Sequence, residues 1–147
     1  MLVRAAIDDF MARHGFSRDE SQRSYWIKIL GRKLWLPNPR SRRIMVPLHD
    51  LHHVATGYDA DLQSEAEIGA WELAAGCTTP TLWIINTVAA LLGLVVAPRR
   101  TLRAFRAGRT ARTLYVLRVN YSDLLDLTVG ELRLRLSIND EGAGVSR

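Results

Sequence analysis

The sequence predicts a mainly α-helical, single-domain fold over residues 1–147, with one small N-terminal β-hairpin as its extended element. Three observations predict it. Apolar residues recur at helical spacing along most of the chain, caps and stop glycines bracket those runs, and 147 residues with 48% apolar content suffice for one core and not two.

Val3, Ile7, Phe10, Met11 and His14 fall on one helical face and Gly15 supplies a stop, so residues 2–14 predict an amphipathic helix. The run YWIKILGRKLWL, from Tyr25 to Leu36, is short, aromatic and β-branched, and Gly31 breaks it; this predicts the hairpin. Asn38 before Pro39 is an N-cap with proline at the first helical position, which opens a helix that Gly57 ends after Thr56. Pro47 lies inside it, removes the hydrogen bond to the carbonyl of Arg43, and predicts a kink just before His49. The next helix follows the Asp59-Ala60-Asp61 turn with Asp61 or Ser64 as cap, Ser64 and Glu67 fitting the capping-box pattern, and Gly76 closes it. Between Pro80 and Pro98 lie seventeen uncharged residues, TLWIINTVAALLGLVVA, after which a helix is expected through the arginine block Arg99 to Arg112. Thr128 and Glu131 form a capping box for a last helix through Leu136, and residues 139–147 are expected to be a flexible polar tail.

Composition narrows the function. The single cysteine, Cys77, excludes an internal disulfide framework and a zinc site built on several thiolates, and fits a reducing compartment. The first ten residues lack the basic and apolar regions of a signal peptide, and Asp8 with Asp9 argues against a transit peptide. Charge is distributed in blocks: residues 44–98 hold six acids and no base, whereas residues 99–118 hold seven arginines and no acid. An acidic centre beside a basic flank follows.

His49, Asp50, His52 and His53 cluster on the second predicted helix. Residues four apart share a face, so His49 and His53 point the same way, which is a bidentate arrangement for a metal. Asp50, three residues before His53, can ligate the ion or hold a ligand histidine in place. Glu65 is the best further donor, because the Gly57 turn can fold the next helix back beside the histidines. Two imidazoles with one or two carboxylates suit a divalent metal, zinc above others, with water completing an open site. The competing reading is a polar helix end with surface histidines. His52 points elsewhere and reads as incidental.

His49-Asp50-x-x-His53 followed after eleven residues by Glu65 resembles the HDxxH-x11-E signature of the coenzyme Q biosynthesis protein four family of the ubiquinone pathway. The resemblance continues through Gly57-Tyr58, Asp61, Glu65-Ala66, Trp71-Glu72, the apolar segment, Phe105-x-x-Gly108-Arg109 and Asn120-Tyr121-x-x-Leu124-Leu125-Asp126-Leu127, and is clearest over residues 40–137. It implies a mostly helical fold and a divalent metal on His49, Asp50, His53 and Glu65. It further implies peripheral attachment to the inner, cytoplasmic face of a bacterial membrane. The activity it implies is oxidative decarboxylation, C1 carboxyl to hydroxyl, of a polyprenylated hydroxybenzoate-type precursor, with Asp50 and Glu65 as catalytic carboxylates. A non-catalytic scaffold that binds prenyl lipid and other quinone-pathway enzymes is the alternative, and a metal-dependent hydrolase of lipid phosphates a weaker one.

The seventeen-residue apolar segment is slightly short of the twenty or so needed to span a membrane, and Asn86 and Thr87 interrupt it. It is expected either as the central helix of the core or as a helix with one face buried and the other meeting lipid. Ala89, Gly93 and Ala97 at four-residue spacing would let another helix pack closely. Arg99, Arg103 and Arg106 share a helical face directly after it, an arrangement suited to lipid headgroups. Nucleic acid is disfavoured as a partner, since aromatic interleaving is sparse and the chain's centre is acidic. An isoprenoid lipid, a peripheral membrane and a homodimer remain the expected partners.

Overall fold

The computed structural model describes residues 1–16, 25–29, 32–36 and 40–138, with side chains over 1–16 and 44–138. Helices dominate, as the sequence predicts: α1 Val3–His14, α2 Arg40–Thr56, α3 Leu62–Ala75, α4 Pro80–Val96, α5 Pro98–Gly108, α6 Leu114–Leu117, α7 Tyr121–Leu125 and α8 Val129–Arg135. Two strands, β1 Tyr25–Ile29 and β2 Arg32–Leu36, pair antiparallel with Trp26 opposite Trp35. The Gly31 break, the Asn38-Pro39 cap and the tail from Asn139 onward lie outside the described residues.

The centre is α3, buried on nearly every side from Ser64 to Ala75. A helix apolar all round belongs inside a core. Asp61 caps it: its Oδ1 accepts from the backbone N–H of Gln63 at 2.8 Å and of Ser64 at 2.9 Å. Of the two expected caps it is therefore Asp61 that acts; Ser64 stands inside the first turn and donates its hydroxyl to Asp61, and Glu67 takes a bidentate pair from Arg100 on α5, at 2.6 and 3.0 Å.

Small residues bring α4 and α5 close to α3. A Cβ on Gly69 would lie 2.7 Å from the Ala89 methyl, and one on Gly93 would lie 2.8 Å from that of Ala66. The close packing expected of Ala89 and Gly93 is thus made against α3. Gly108 lies directly on the Trp71 carbonyl. There α5 ends, so the helix does not extend to Arg112 as expected; Arg112 instead donates its backbone N–H to the Leu136 carbonyl.

Only one face of α4 is buried, through Leu82, Asn86, Ala90 and Gly93. The opposite face leaves Ile84, Val88, Leu91 and Val95 at least 59% exposed. Of the two alternatives for the apolar segment, the structure has the half-buried helix. No helix among the described residues is long and apolar enough to cross a membrane.

The remaining helices close the other side of α2. Val3 donates its backbone N–H to the Leu127 carbonyl, and Val129 donates to that of Met1, tying the chain start to the entrance of α8. Thr128 and Glu131 form the expected capping box there. α6 and α7, of four and five residues, are too short for a hydrophobic period to announce.

Candidate metal centre

His49 and His53 lie one turn apart on α2, and Glu65 lies in the first turn of α3. The turn between the helices runs through Gly57, whose φ of 79° is in the left-handed region that favours glycine. It brings the Tyr58 carbonyl back over His53, and His53 Nδ1–H donates to it at 3.2 Å. A carbonyl only accepts, so the proton is on Nδ1 and the Nε2 lone pair of a neutral His53 faces the other way. Phe10 of α1 stacks on the ring, with centroids 5.2 Å apart, and fixes its plane.

His49 is set in the same sense by a different partner. Its Nδ1 lies 2.8 Å from Oε1 of Glu72, a fully buried carboxylate on α3. The same oxygen lies 2.7 Å from His52 Nδ1 and takes the Tyr115 hydroxyl at 3.0 Å, while Oε2 takes the Asn86 amide at 2.9 Å. On the far side of the His52 ring, the backbone N–H of Leu114, left without an intrahelical partner at the start of α6, donates to Nε2 at 2.9 Å. A backbone N–H cannot accept, so neutral His52 carries its proton on Nδ1. His52 is thus an inner member of the site and no incidental surface residue.

The two Nε2 atoms of His49 and His53 consequently face each other at 3.1 Å. Two lone pairs repel at that distance, so a proton or a cation must lie between them. Glu65 adds negative charge to the same point, its Oε2 3.5 Å from His49 Nε2 and its Oε1 3.4 Å from His53 Nε2. One ligand atom from each residue lies within 4.8 Å of the others, and the group can hold a metal ion. Donors about 2.0–2.1 Å from a tetrahedral ion sit about 3.3 Å apart, close to the 3.1 Å between the two imidazole nitrogens.

The electrostatics point the same way. Burial disfavours an imidazolium at His49, yet the charge of Glu72 and hydrogen bonds to Glu65 and Glu72 outweigh it and hold its pKa well above the ordinary histidine value. Burial wins at His52, whose pKa is lowered. Glu65 is brought down to about 2: desolvation opposes, but hydrogen bonds from both histidines and their charge prevail. Glu72 is driven well below the carboxylate range by His49 and His52 against a large burial penalty. Burial and the Glu72 charge push the Tyr115 hydroxyl well up, keeping it a donor. The site therefore wants positive charge between its imidazoles and supplies two ionised carboxylates to balance it.

Of the residues predicted from sequence, His49, His53 and Glu65 converge. Asp50 stands outside that group, half-buried one position further round α2 and near enough for its charge to act on Tyr115. Arg99, Arg103 and Arg106 are exposed on α5, apart from the metal group, with Leu102 and Phe105 exposed between them. Sequence reasoning missed Glu72, Tyr115 and Asn86. The available signal was an acid inside the all-apolar stretch of α3 and an amide inside the uncharged α4, neither of which is buried without a partner.

A cavity of about 230 Å³ opens beside His53, lined among others by Phe10, Arg13, Tyr58, Asp59 and Arg133. Typical small-molecule pockets run to about 300–1,000 Å³, so this one lies just below that range. No protein-family model matches the chain, and no curated protein matches it.

Proposed function

We propose that the chain is a membrane-associated metalloprotein of quinone biosynthesis, resembling the coenzyme Q biosynthesis protein four family, that replaces the C1 carboxyl of a polyprenylated hydroxybenzoate-type precursor by hydroxyl. The observation that carries this reading is the convergence of His49, His53 and Glu65, the three donors at the first, fifth and last positions of the HDxxH-x11-E pattern. His49 Nε2, His53 Nε2 and a Glu65 oxygen would hold the ion, and two imidazoles with one carboxylate suit zinc. When bound, the metal supplies Lewis-acid stabilisation of charge on the substrate's oxygens. Glu65, ionised at any physiological pH, serves as ligand and not as proton donor. Asp50 orients the substrate or a ligand histidine from the next position of α2. Overall, the C1–carboxyl bond breaks and carbon dioxide leaves. Dioxygen supplies the hydroxyl oxygen, and its second atom leaves as water with two electrons and two protons from an external reductant.

The surface of α4 and α5 supports a peripheral position on an anionic membrane, and the proposal places that membrane at the inner face of a bacterial cell. Ile84, Val88, Leu91 and Val95 form an exposed apolar stripe on α4, and arginines at 99, 103 and 106 follow it on α5. Apolar side chains would enter the interface while guanidinium groups meet the phosphates. The same surface favours a second reading, a non-catalytic prenyl-lipid scaffold for other quinone-pathway enzymes with the metal bracing α2 and α3.

The test is release of carbon dioxide from a prenylated hydroxybenzoate supplied with dioxygen and a reductant. Turnover by the metal-loaded protein, lost in His53→Ala, is the expected result. Lipid binding by wild type without turnover, equal with and without metal, would replace the enzyme reading by the scaffold.

A further inference from the structure

Glu72 is expensive to bury and is not one of the three residues that converge as metal ligands. An ionised carboxylate with no exposure costs several kcal/mol unless its oxygens are fully satisfied. Here they are, by four donors from three helices: His49 and His52 of α2, Asn86 of α4 and Tyr115 of α6, with Glu72 itself on α3. Three of those donors are fixed before His49 is considered. Leu114 dictates the tautomer of His52, an amide nitrogen only donates, and the Tyr115 hydroxyl has the carboxylate as its partner. The carboxylate is thus held as a rigid acceptor, and His49 Nδ1 must present it with a proton.

We propose that Glu72 is the positioning residue of the metal centre, selecting the Nδ1–H tautomer of His49 so that Nε2 is the atom that binds the ion. The inference rests on the metal reading given above. Two consequences follow from the geometry. A carboxylate behind a ligand imidazole orients the ring and increases its basicity, and loss of such a partner weakens metal binding about 10- to 100-fold. The arrangement is also built for a dication: Glu65 and Glu72 together supply two negative charges around neutral imidazoles.

The test uses the full chain and zinc, titrated against a chromophoric chelator, with cobalt substitution as a spectroscopic readout. Wild type binds, His53→Ala does not, and Glu72→Gln, which keeps the shape and removes the charge, binds 10- to 100-fold more weakly with a shifted cobalt d–d spectrum. Equal affinity and an unchanged spectrum in a folded Glu72→Gln variant would make Glu72 a purely structural tie and overturn the inference while leaving the metal reading intact. No binding by wild type would overturn the metal reading itself, and this inference with it. An imidazole ¹⁵N correlation of zinc-loaded wild type tests the tautomer without any variant. His49 protonated at Nδ1 and ligated through Nε2 is expected; ligation through Nδ1 refutes the proposal.

Discussion

Chelator-treated protein should be most stable near pH 6.5 and lose stability on both sides, for reasons that separate cleanly between two histidines. His49 has its pKa raised on folding. From about 6.5, the ordinary histidine value, upward to that raised value, the native state holds a proton that the unfolded chain has released, so stability falls as pH rises. His52 has its pKa lowered. Below about 6.5 the unfolded chain takes a proton that native His52 refuses, so stability falls as pH falls. Each limb has a limiting slope of about 1.4 kcal/mol per pH unit, one proton each. The carboxylates stay out of this window, because Glu65 and Glu72 are lowered and contribute fully above the ordinary carboxylate range. Urea unfolding followed by circular dichroism at half-unit steps from pH 5.5 to 8.5 gives the profile. His49→Gln should flatten the alkaline limb and leave the acid limb standing. Stability that is level or rising from pH 6.5 to 8 in the metal-free wild type would refute the charge assignment.

Three further predictions concern the scaffold and the surface. Gly108→Ala drives a methyl into the Trp71 carbonyl and within 2.9 Å of the Ala74 side chain, so it should cost about 1–3 kcal/mol, measurable by thermal melting, and weaken metal binding because Glu72 adjoins the displaced turn. Asp61→Ala removes the cap of α3 and should cost about 1 kcal/mol in urea unfolding, with Asp61→Asn retaining most of the stability. Replacing Arg99, Arg103 and Arg106 by Gln should reduce flotation with anionic vesicles on the order of 100-fold at low salt, at about 1 kcal/mol per arginine. Absence of salt-sensitive flotation in wild type would leave those arginines as ordinary surface.

The convergence of His49, His53 and Glu65 is legible in the sequence because its geometry is local. His49 and His53 are one turn apart, and Glu65 is brought alongside by one short turn at a glycine that announces itself. The same local logic sets His52 apart from the pair, because its partners Leu114 and Tyr115 lie more than 60 residues away in sequence, in a helix of four residues without periodicity. Nothing local in the sequence assigns Glu72 a role, since only the packing of α3 against α2, α4 and α6 turns it from a surface acid into the hub of the site. The Ser64–Glu67 pattern shows the converse. It satisfies a capping motif on paper, and Asp61, three residues earlier, wins because its carboxylate reaches two orphan N–H groups at once. The apolar segment's length and lack of charge left its placement open; Gly93 and Ala89 against Ala66 and Gly69 decided which face goes inward.

The most direct test of the central claim is elemental analysis of the purified wild-type chain beside His53→Ala. About one divalent ion per chain in the wild type and none in the folded variant is the predicted result, since removal of His53 Nε2 breaks the convergent triad. Equal metal content in the two proteins, or none in wild type after zinc loading, would contradict it and leave the facing imidazoles sharing a proton.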